Sequence, residues 1–280
     1  MEENENFEIA KGDLDGLMAR YSHVRRWVED FEAQHGTRPY FYGPLDRGAK
    51  SIEPRNLIYS LKPPLFAHIY KPPDDDEQGA GTTLWFGIEP VLNEEEEVIR
   101  QEIVDRLLRD APSAPSFTSD SEFEGILEGM IERMTTTNSS VIQADSVLGP
   151  AMGFLGLGEP PISVTEEQLE RLKYIIIRDL VKSGPLEALL SDEQLEDIHS
   201  VGLRYINMDH KVFGMVTSNI RFRDREVLAR YLRSMSERIG RPVSDSKPII
   251  DGALLDGSRI NIIFSDDVSM LGPSFTIRKF

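Results

Sequence analysis

The feature that most restricts what this chain can fold into lies in its middle: TTNSSVIQADSVLGPAMGFLGLGEPPIS, residues 136–163. It is rich in Gly, Ser, Pro and Thr, its apolar residues are scattered, and it sustains neither a helical nor a strand period, so it reads as a linker between two folded parts. The charge divides at the same place. Of the formal net charge of −17, residues 1–163 carry −16, with 30 acidic and 14 basic side chains, and residues 164–280 carry −1, with 18 acidic and 17 basic. The expectation is an acidic N-terminal α/β domain over residues 1–135, the linker over 136–163, and a nearly neutral domain over 164–280. An acidic body of this kind disfavours a nucleic-acid partner, because phosphate binding needs a basic footprint.

With 280 residues and 40% apolar side chains, the chain can bury a sizeable core. It has no cysteine, which removes disulfides, thiolate metal sites and cysteine nucleophiles together. The histidines at 23, 35, 68, 199 and 210 share no metal-ligand spacing, so no metal site is expected. No run approaches the ~20 apolar residues of a membrane span. The N-terminal MEENENFEIAKGDLDG is acidic, opposite to a secretory signal, and the expected location is the cytoplasm.

Residues 13–35 place Leu17, Tyr21, Val24, Val28 and Phe31 at spacings of three and four, which predicts one helix ended by GTRPYFYGP. Between 56 and 88, NLIYSL, LFAHIY and TLWFGI are short and β-rich, the last two joined by KPPDDDEQGAGT. EPVLNEEEEVIRQEIVDRLLRD then turns helical, with Asn93 as the cap and four glutamates suited to the positive N-terminal end. SEFEGILEGMIERMTTT predicts a second, shorter helix. Past the linker, Thr165 and Gln168 make a capping-box pattern before LERLKYIIIRDLVKSG, which Gly184 and Pro185 stop. EQLEDIHS reads as turn-like, and GLRYINM and KVFGM as a strand pair joined by DH. DREVLARYLRSMSERIG predicts a helix with Leu228, Tyr231, Leu232, Met235 and Ile239 on one face. GALL, RINIIF and SFTIRK close the chain as strands, the first two around the turn at Asp256 and Gly257. The fold class is therefore α+β, with the second domain a mixed antiparallel sheet carrying helices.

Several motifs invite a chemical reading. GPLDRGAKS at 43–51 approaches the phosphate-loop pattern, but Ala49 separates Gly48 from Lys50, and the lysine must follow the glycine directly to turn back over a phosphate. It reads as a plain loop. The glycines of GFLGLGEP fit no nucleotide fingerprint, EEEE at 94–97 reads as a solvated helix start, and DDDE at 74–77 as an acidic turn. Arg225, Arg230, Arg233 and Arg238 alternate with acidic residues and read as a solvated helix face.

Three runs in order, RDLVKSGPLEALLSDEQLEDI, PIIDGALLDGSRINIIF and GPSFTIRKF, carry a resemblance. They resemble the N-terminal region of the type II/type IV secretion-system ATPase superfamily, most closely its archaeal pilus and archaellum assembly members, strongly over 164–280 and only in layout over 56–110. The resemblance implies a PAS-like second domain followed by a C-terminal RecA-like ATPase domain, in a homo-hexamer that docks on a membrane platform protein at the inner face of the cell membrane. It implies ATP and Mg held by that RecA-like domain, with Arg259 and Arg278 of this chain leaning onto the phosphates. A planar, always-charged guanidinium suits that task. On local pattern alone, both arginines read as surface strand residues paired with Asp251, Asp256 or Asp266. After TIRKF the family continues into its Walker A and Walker B motifs, which do not occur here, so this chain by itself is not expected to hydrolyse ATP and is expected to be a piece ending at the joint. The alternative expectation is a stand-alone interaction or regulatory module without ATPase activity.

Overall fold

The computed structural model describes residues 12–73, 81–113, 115–137, 159–254, 256–264 and 271–280. The acidic turn at 74–77 and most of residues 136–163 lie outside them. The fold is α+β, as the periodicities predicted, but its compact units cut the chain differently from the expected linker. One unit comprises residues 1–89 and 188–280, the other residues 90–187. The reason is sheet continuity: strands from before residue 89 and after residue 188 share one ladder.

In the larger unit, helices α1 (Leu14–Arg20) and α2 (Ser22–His35) are followed by strands β1 (Tyr40–Gly43), β2 (Asn56–Ser60), β3 (Phe66–Tyr70) and β4 (Thr83–Ile88). The single helix expected over 13–35 is broken at Tyr21, which is extended at φ −120° and ψ 102°. Its ring turns onto Phe66 at 5.0 Å, and the Arg25 guanidinium caps the Met18 carbonyl freed at the break, at 3.0 and 3.2 Å. Leu14, Leu17, Val24, Val28, Phe41, Ile58, Phe66 and Ile88 form the core between these helices and strands. β2 and β3 are buried on both faces, which explains why their sequences are continuous apolar runs rather than alternating ones.

The smaller unit holds α3 (Glu94–Asp110), α4 (Asp120–Met134), the two-residue strands β5 (Thr135–Thr136) and β6 (Ile162–Ser163), and α5 (Glu166–Leu180). α3 and α5 both start on complete capping boxes, Asn93 with Glu96 and Thr165 with Gln168. Their apolar stripes and that of α4 meet in one core that includes Ile103, Leu107, Leu127, Ile131, Leu172 and Ile176. Glu96 is the exception in the EEEE start: it is buried and ion-paired with Arg171. The helix expected to run to Gly184 ends earlier, at Leu180 with Val181 as its cap, and Gly184, at φ 55°, instead opens the short 3-10 turn Gly184–Leu186.

The chain re-enters the larger unit through α6 (Glu187–Ser191) and continues as β7 (Leu195–Val201), β8 (Asn207–His210), β9 (Gly214–Ser218), α7 (Arg225–Arg238), β10 (Ile249–Ala253), β11 (Arg259–Ile263) and β12 (Ser274–Arg278). Ten strands join in the order β1-β2-β3-β4-β9-β8-β7-β12-β11-β10. The sheet is mixed: β1/β2 and β4/β9 are parallel, and the other neighbours antiparallel. EQLEDIHS, expected as a turn, is mostly strand β7; its two acidic residues hid a pattern in which Leu195, Ile198 and Ser200 point inward. The DH pair belongs to β8, and the turn falls two residues later, at 211–213, where His210 Nδ1 accepts the amides of Val212 and Phe213 at 3.0 and 3.3 Å.

Candidate functional site

The last strands have two unlike faces. On one, Ile198, Met208, Val216, Ile250, Ile260, Ile262, Phe275 and Ile277 are buried. On the other, directly opposed residues form polar rows across the sheet. One row runs Arg259, Arg278, Asp197, Asp209, and the next runs Asp251, Asn261, Thr276, His199, Asn207. An antiparallel sheet tolerates this because its second face can stay in water.

Arg259 and Arg278, the two residues singled out from the sequence, are exposed and directly opposed on adjacent strands. Like charges in that position repel, and the next strand offsets one of them: Arg278 Nε donates to Asp197 Oδ1 at 2.9 Å, which also raises the arginine pKa further. Arg278 therefore pairs with Asp197, not with Asp251 or Asp256. Asp256 instead shapes the hairpin, accepting Ser258 N at 2.9 Å and Ser258 Oγ at 2.8 Å, and Asp251 accepts Asn261 Nδ2 at 2.8 Å; Asp266 lies outside the described residues. The Arg259 side chain makes no hydrogen bond or ion pair among the described residues.

Both arginines line one open cleft of about 640 Å³, together with Ile239, Arg241, Asp251, Gly252, Ala253, Ile260, Asn261 and Thr276. Arg241 enters it because α7 is capped at Ile239 and Gly240, at φ 70°, turns the chain out. Gly252 permits the approach: a Cβ there would sit 2.5 Å from the Ile239 side chain. Sequence reading missed Arg241. The signal available was the glycine after the helix, but the helix arginines drew attention instead; those four are exposed, and Arg233 lies over the Phe264 ring at 4.9 Å.

The phosphate-loop look-alike is closed to anions. Residues Arg47–Ser51 form a short 3-10 helix whose leading amide is already taken, Gly48 N donating to Asp46 Oδ1 at 2.7 Å. No group of side chains among the described residues has the makings of a metal site. No helix among them is long and apolar enough to cross a membrane.

The other concentration of ionisable groups is internal. Asp192 is fully buried and accepts the Tyr59 hydroxyl and, at 2.9 Å, Trp85 Nε1. His210 Nδ1 is occupied as an acceptor, so Nε2 carries the proton and donates to the Tyr59 oxygen at 3.3 Å. Burial holds His210 down to about 4 and, with Asp192 beside it, pushes Tyr59 well above the ordinary phenol range. A second buried chain runs from Trp27 Nε1 to His68 Nδ1 at 3.2 Å and from His68 Nε2 to Asn56 Oδ1 at 2.7 Å, with His68 held at about 3 by burial. Lys279, next to Arg278, turns inward and donates to the carbonyls of Leu190, at 2.8 Å, and Asp192; burial lowers it to about 8. These groups hold the fold, and none lines the cleft.

No family model matches this sequence. The chain is 38% identical to the uncharacterized protein MJ0900 of Methanocaldococcus jannaschii over 273 residues, which is 97% of this chain and 48% of that protein. A second protein of the same organism, MJ1288, is 35% identical over 100 residues, 35% of this chain and 40% of its own length. The chain thus spans about half, or less, of the relatives it matches. Among solved structures, the VirB11 ATPase of the Brucella suis type IV secretion system, in complex with sulphate, is similar over 34% of this chain and 29% of its own, at 22% identity and a TM-score of 0.29.

Proposed function

We propose that this chain is the N-terminal portion of a hexameric ATP-driven motor for pilus or archaellum assembly or protein secretion. In this reading the polar sheet face closes over ATP and Mg held by a RecA-like domain, and the assembly docks on a membrane platform protein at the inner face of the cell membrane. The observation that carries it is local. Arg259 and Arg278, far enough apart in sequence to lie on different strands, stand directly opposed and exposed on the wall of one cleft. The DGSR turn and the FTIRK strand that supply them are the segments through which the sequence resembles that superfamily. The length of MJ0900, of which this chain matches 48%, leaves room for a second part of similar size.

The second reading, an interaction or regulatory module without ATPase activity, is favoured by the Arg278–Asp197 ion pair, which satisfies that arginine without any nucleotide. One experiment separates them. ATP turnover is measured for this chain, for the part of MJ0900 that this chain does not match, expressed separately as the proposed RecA-like domain, and for the mixture, with Arg259→Ala and Arg278→Ala compared. The motor reading expects turnover to rise in the mixture and to fall with either substitution. Indifference of the RecA-like domain to this chain would leave the module reading standing.

A further inference from the structure

We infer that the cleft is a polyphosphate site in its own right, with Arg241 as a third guanidinium that no sequence motif marked, and that Asp197 competes with the anion for Arg278. The inference deepens the motor reading and rests on it for the identity of the natural ligand. Its warrant is the state of the three arginines. The guanidiniums of Arg241 and Arg259 have no hydrogen-bond or ion-pair partner among the described residues, while Arg278 gives its Nε to Asp197 at 2.9 Å. Two of the guanidiniums rise from neighbouring strands, which lie about 4.8 Å apart in any sheet. The third comes from beyond the end of α7 on the same cleft. An anion with several charged groups in a row can meet all three, whereas a single carboxylate cannot.

Charge balance argues the same way. The cleft holds three guanidiniums against the single carboxylate of Asp251, and Asp251 is turned to Asn261. It is a locally positive place on a chain of net charge −17, which as a whole repels anions. Saturable binding of an anion therefore reports the cleft and not the bulk surface. Its volume, about 640 Å³, suits a ligand of nucleotide size. Asp197 sets the sign of an unusual effect. Because it occupies Arg278 in the free chain, removing its charge releases a guanidinium to the ligand, so a substitution at an acidic residue outside the cleft lining tightens binding.

The test is calorimetric titration of the 280-residue chain with inorganic tripolyphosphate and, separately, ATP, at low salt and without Mg. We expect saturable tripolyphosphate binding that weakens about tenfold with Arg241→Ala and with Arg259→Ala, the loss of one charge-assisted bond each. Asp197→Asn tightens it several-fold, and Asp105→Asn, an equal change of net charge in the other compact unit, does not. Tighter binding of ATP than of tripolyphosphate identifies a nucleotide as the natural source of the phosphates; equal binding identifies the phosphate chain alone. The inference is overturned if no saturable binding occurs, or if Arg241→Ala and Asp197→Asn both leave affinity unchanged. The two readings fail separately. Turnover in the mixture that needs Arg259 and Arg278, with no tripolyphosphate held by the chain, sinks the inference and keeps the motor. Tripolyphosphate binding as described, with turnover indifferent to Arg259→Ala, keeps the site and sinks the motor.

Discussion

In residues 90–187 the described residues bury a single ionisable side chain, Glu96, whereas the unit formed by residues 1–89 and 188–280 buries His68, Asp192 and His210. The surfaces differ in the opposite sense. The smaller unit carries 19 acidic and 8 basic side chains and the larger 29 and 23, so the smaller one, with fewer residues, bears most of the net charge. One unit is thus an apolar three-helix core under a strongly acidic surface, and the other a sheet whose interior is tied by hydrogen-bonded networks. The difference teaches where stability is exposed to solution conditions: a buried histidine answers to pH, and a buried isoleucine does not.

The largest effect expected follows from that contrast. His68 and His210 sit neutral in the fold at about 3 and about 4, while an unfolded histidine titrates near 6.5. Above pH ~6.5 neither state takes up a proton at these groups. Below it the unfolded chain binds protons that the fold refuses, so stability falls with pH until the folded pKa values are reached. The slope is about 1.4 kcal/mol per pH unit for each histidine, which makes about 5 kcal/mol for both over roughly two units. Both tryptophans, Trp27 and Trp85, lie in the same unit as these histidines, so the tryptophan signal in urea melts reads that unit. A flat midpoint from pH 7 to 5, or no flattening in His68→Gln and His210→Gln, would show that the networks open to solvent and erase the contrast.

Next in size is Asp192→Ala. It removes the acceptor of Tyr59 Oη, Trp85 Nε1 and Gln194 N together, leaving the buried Tyr59 hydroxyl without an acceptor and Trp85 Nε1 with the Tyr59 oxygen alone, at a cost of about 4 kcal/mol. The same tryptophan-monitored melt measures it, with a red shift of Trp85 emission as the local sign. A loss no larger than that of an exposed Asp→Ala change would mean that the network is slack.

How much of this was legible in the sequence varies with the reach of the interaction. The helices of the smaller unit were readable because caps and apolar stripes are local: Asn93, Thr165 and Gln168 announce themselves within four residues. The segments LFAHIY and TLWFGI were readable for the same reason. The division into units was not, because β4 pairs with β9 across a long stretch of chain, and no composition shift marks a strand pairing of that kind. β7 was missed because its acidic residues make sense only once Arg278 is opposite Asp197. Of the cleft, Arg259 and Arg278 were found through resemblance of the motifs that hold them; Arg241 has its meaning only from the fold, which folds a helix end back over β10 beside Gly252. Asp192 gave no warning at all, since its partners Tyr59 and Trp85 come from the other end of the sequence.

The smallest of the three effects tests the smaller unit's one exception. Glu96 Oε2 completes the capping box of α3 by accepting Asn93 N at 3.1 Å, and Oε1 pairs with Arg171 of α5, which also holds Glu167 at 2.6 Å. Arg171→Ala leaves a buried carboxylate with no cation and should cost about 3 kcal/mol. Glu96→Gln with Arg171→Met, which removes both charges and keeps the cap acceptor, should cost much less, because the pair's attraction is largely offset by the desolvation of its members. Far-ultraviolet circular dichroism reads the helices of both units, and the part of its change that departs from the tryptophan signal of the larger unit follows these helices. If the double substitution costs as much as the single one, the ion pair itself contributes the stability, and the smaller unit depends on a buried charge as the larger one does. If the double variant is near wild type, Glu96 is held for its cap and Arg171 to keep it neutralised, and the core between α3, α4 and α5 stands on its apolar packing.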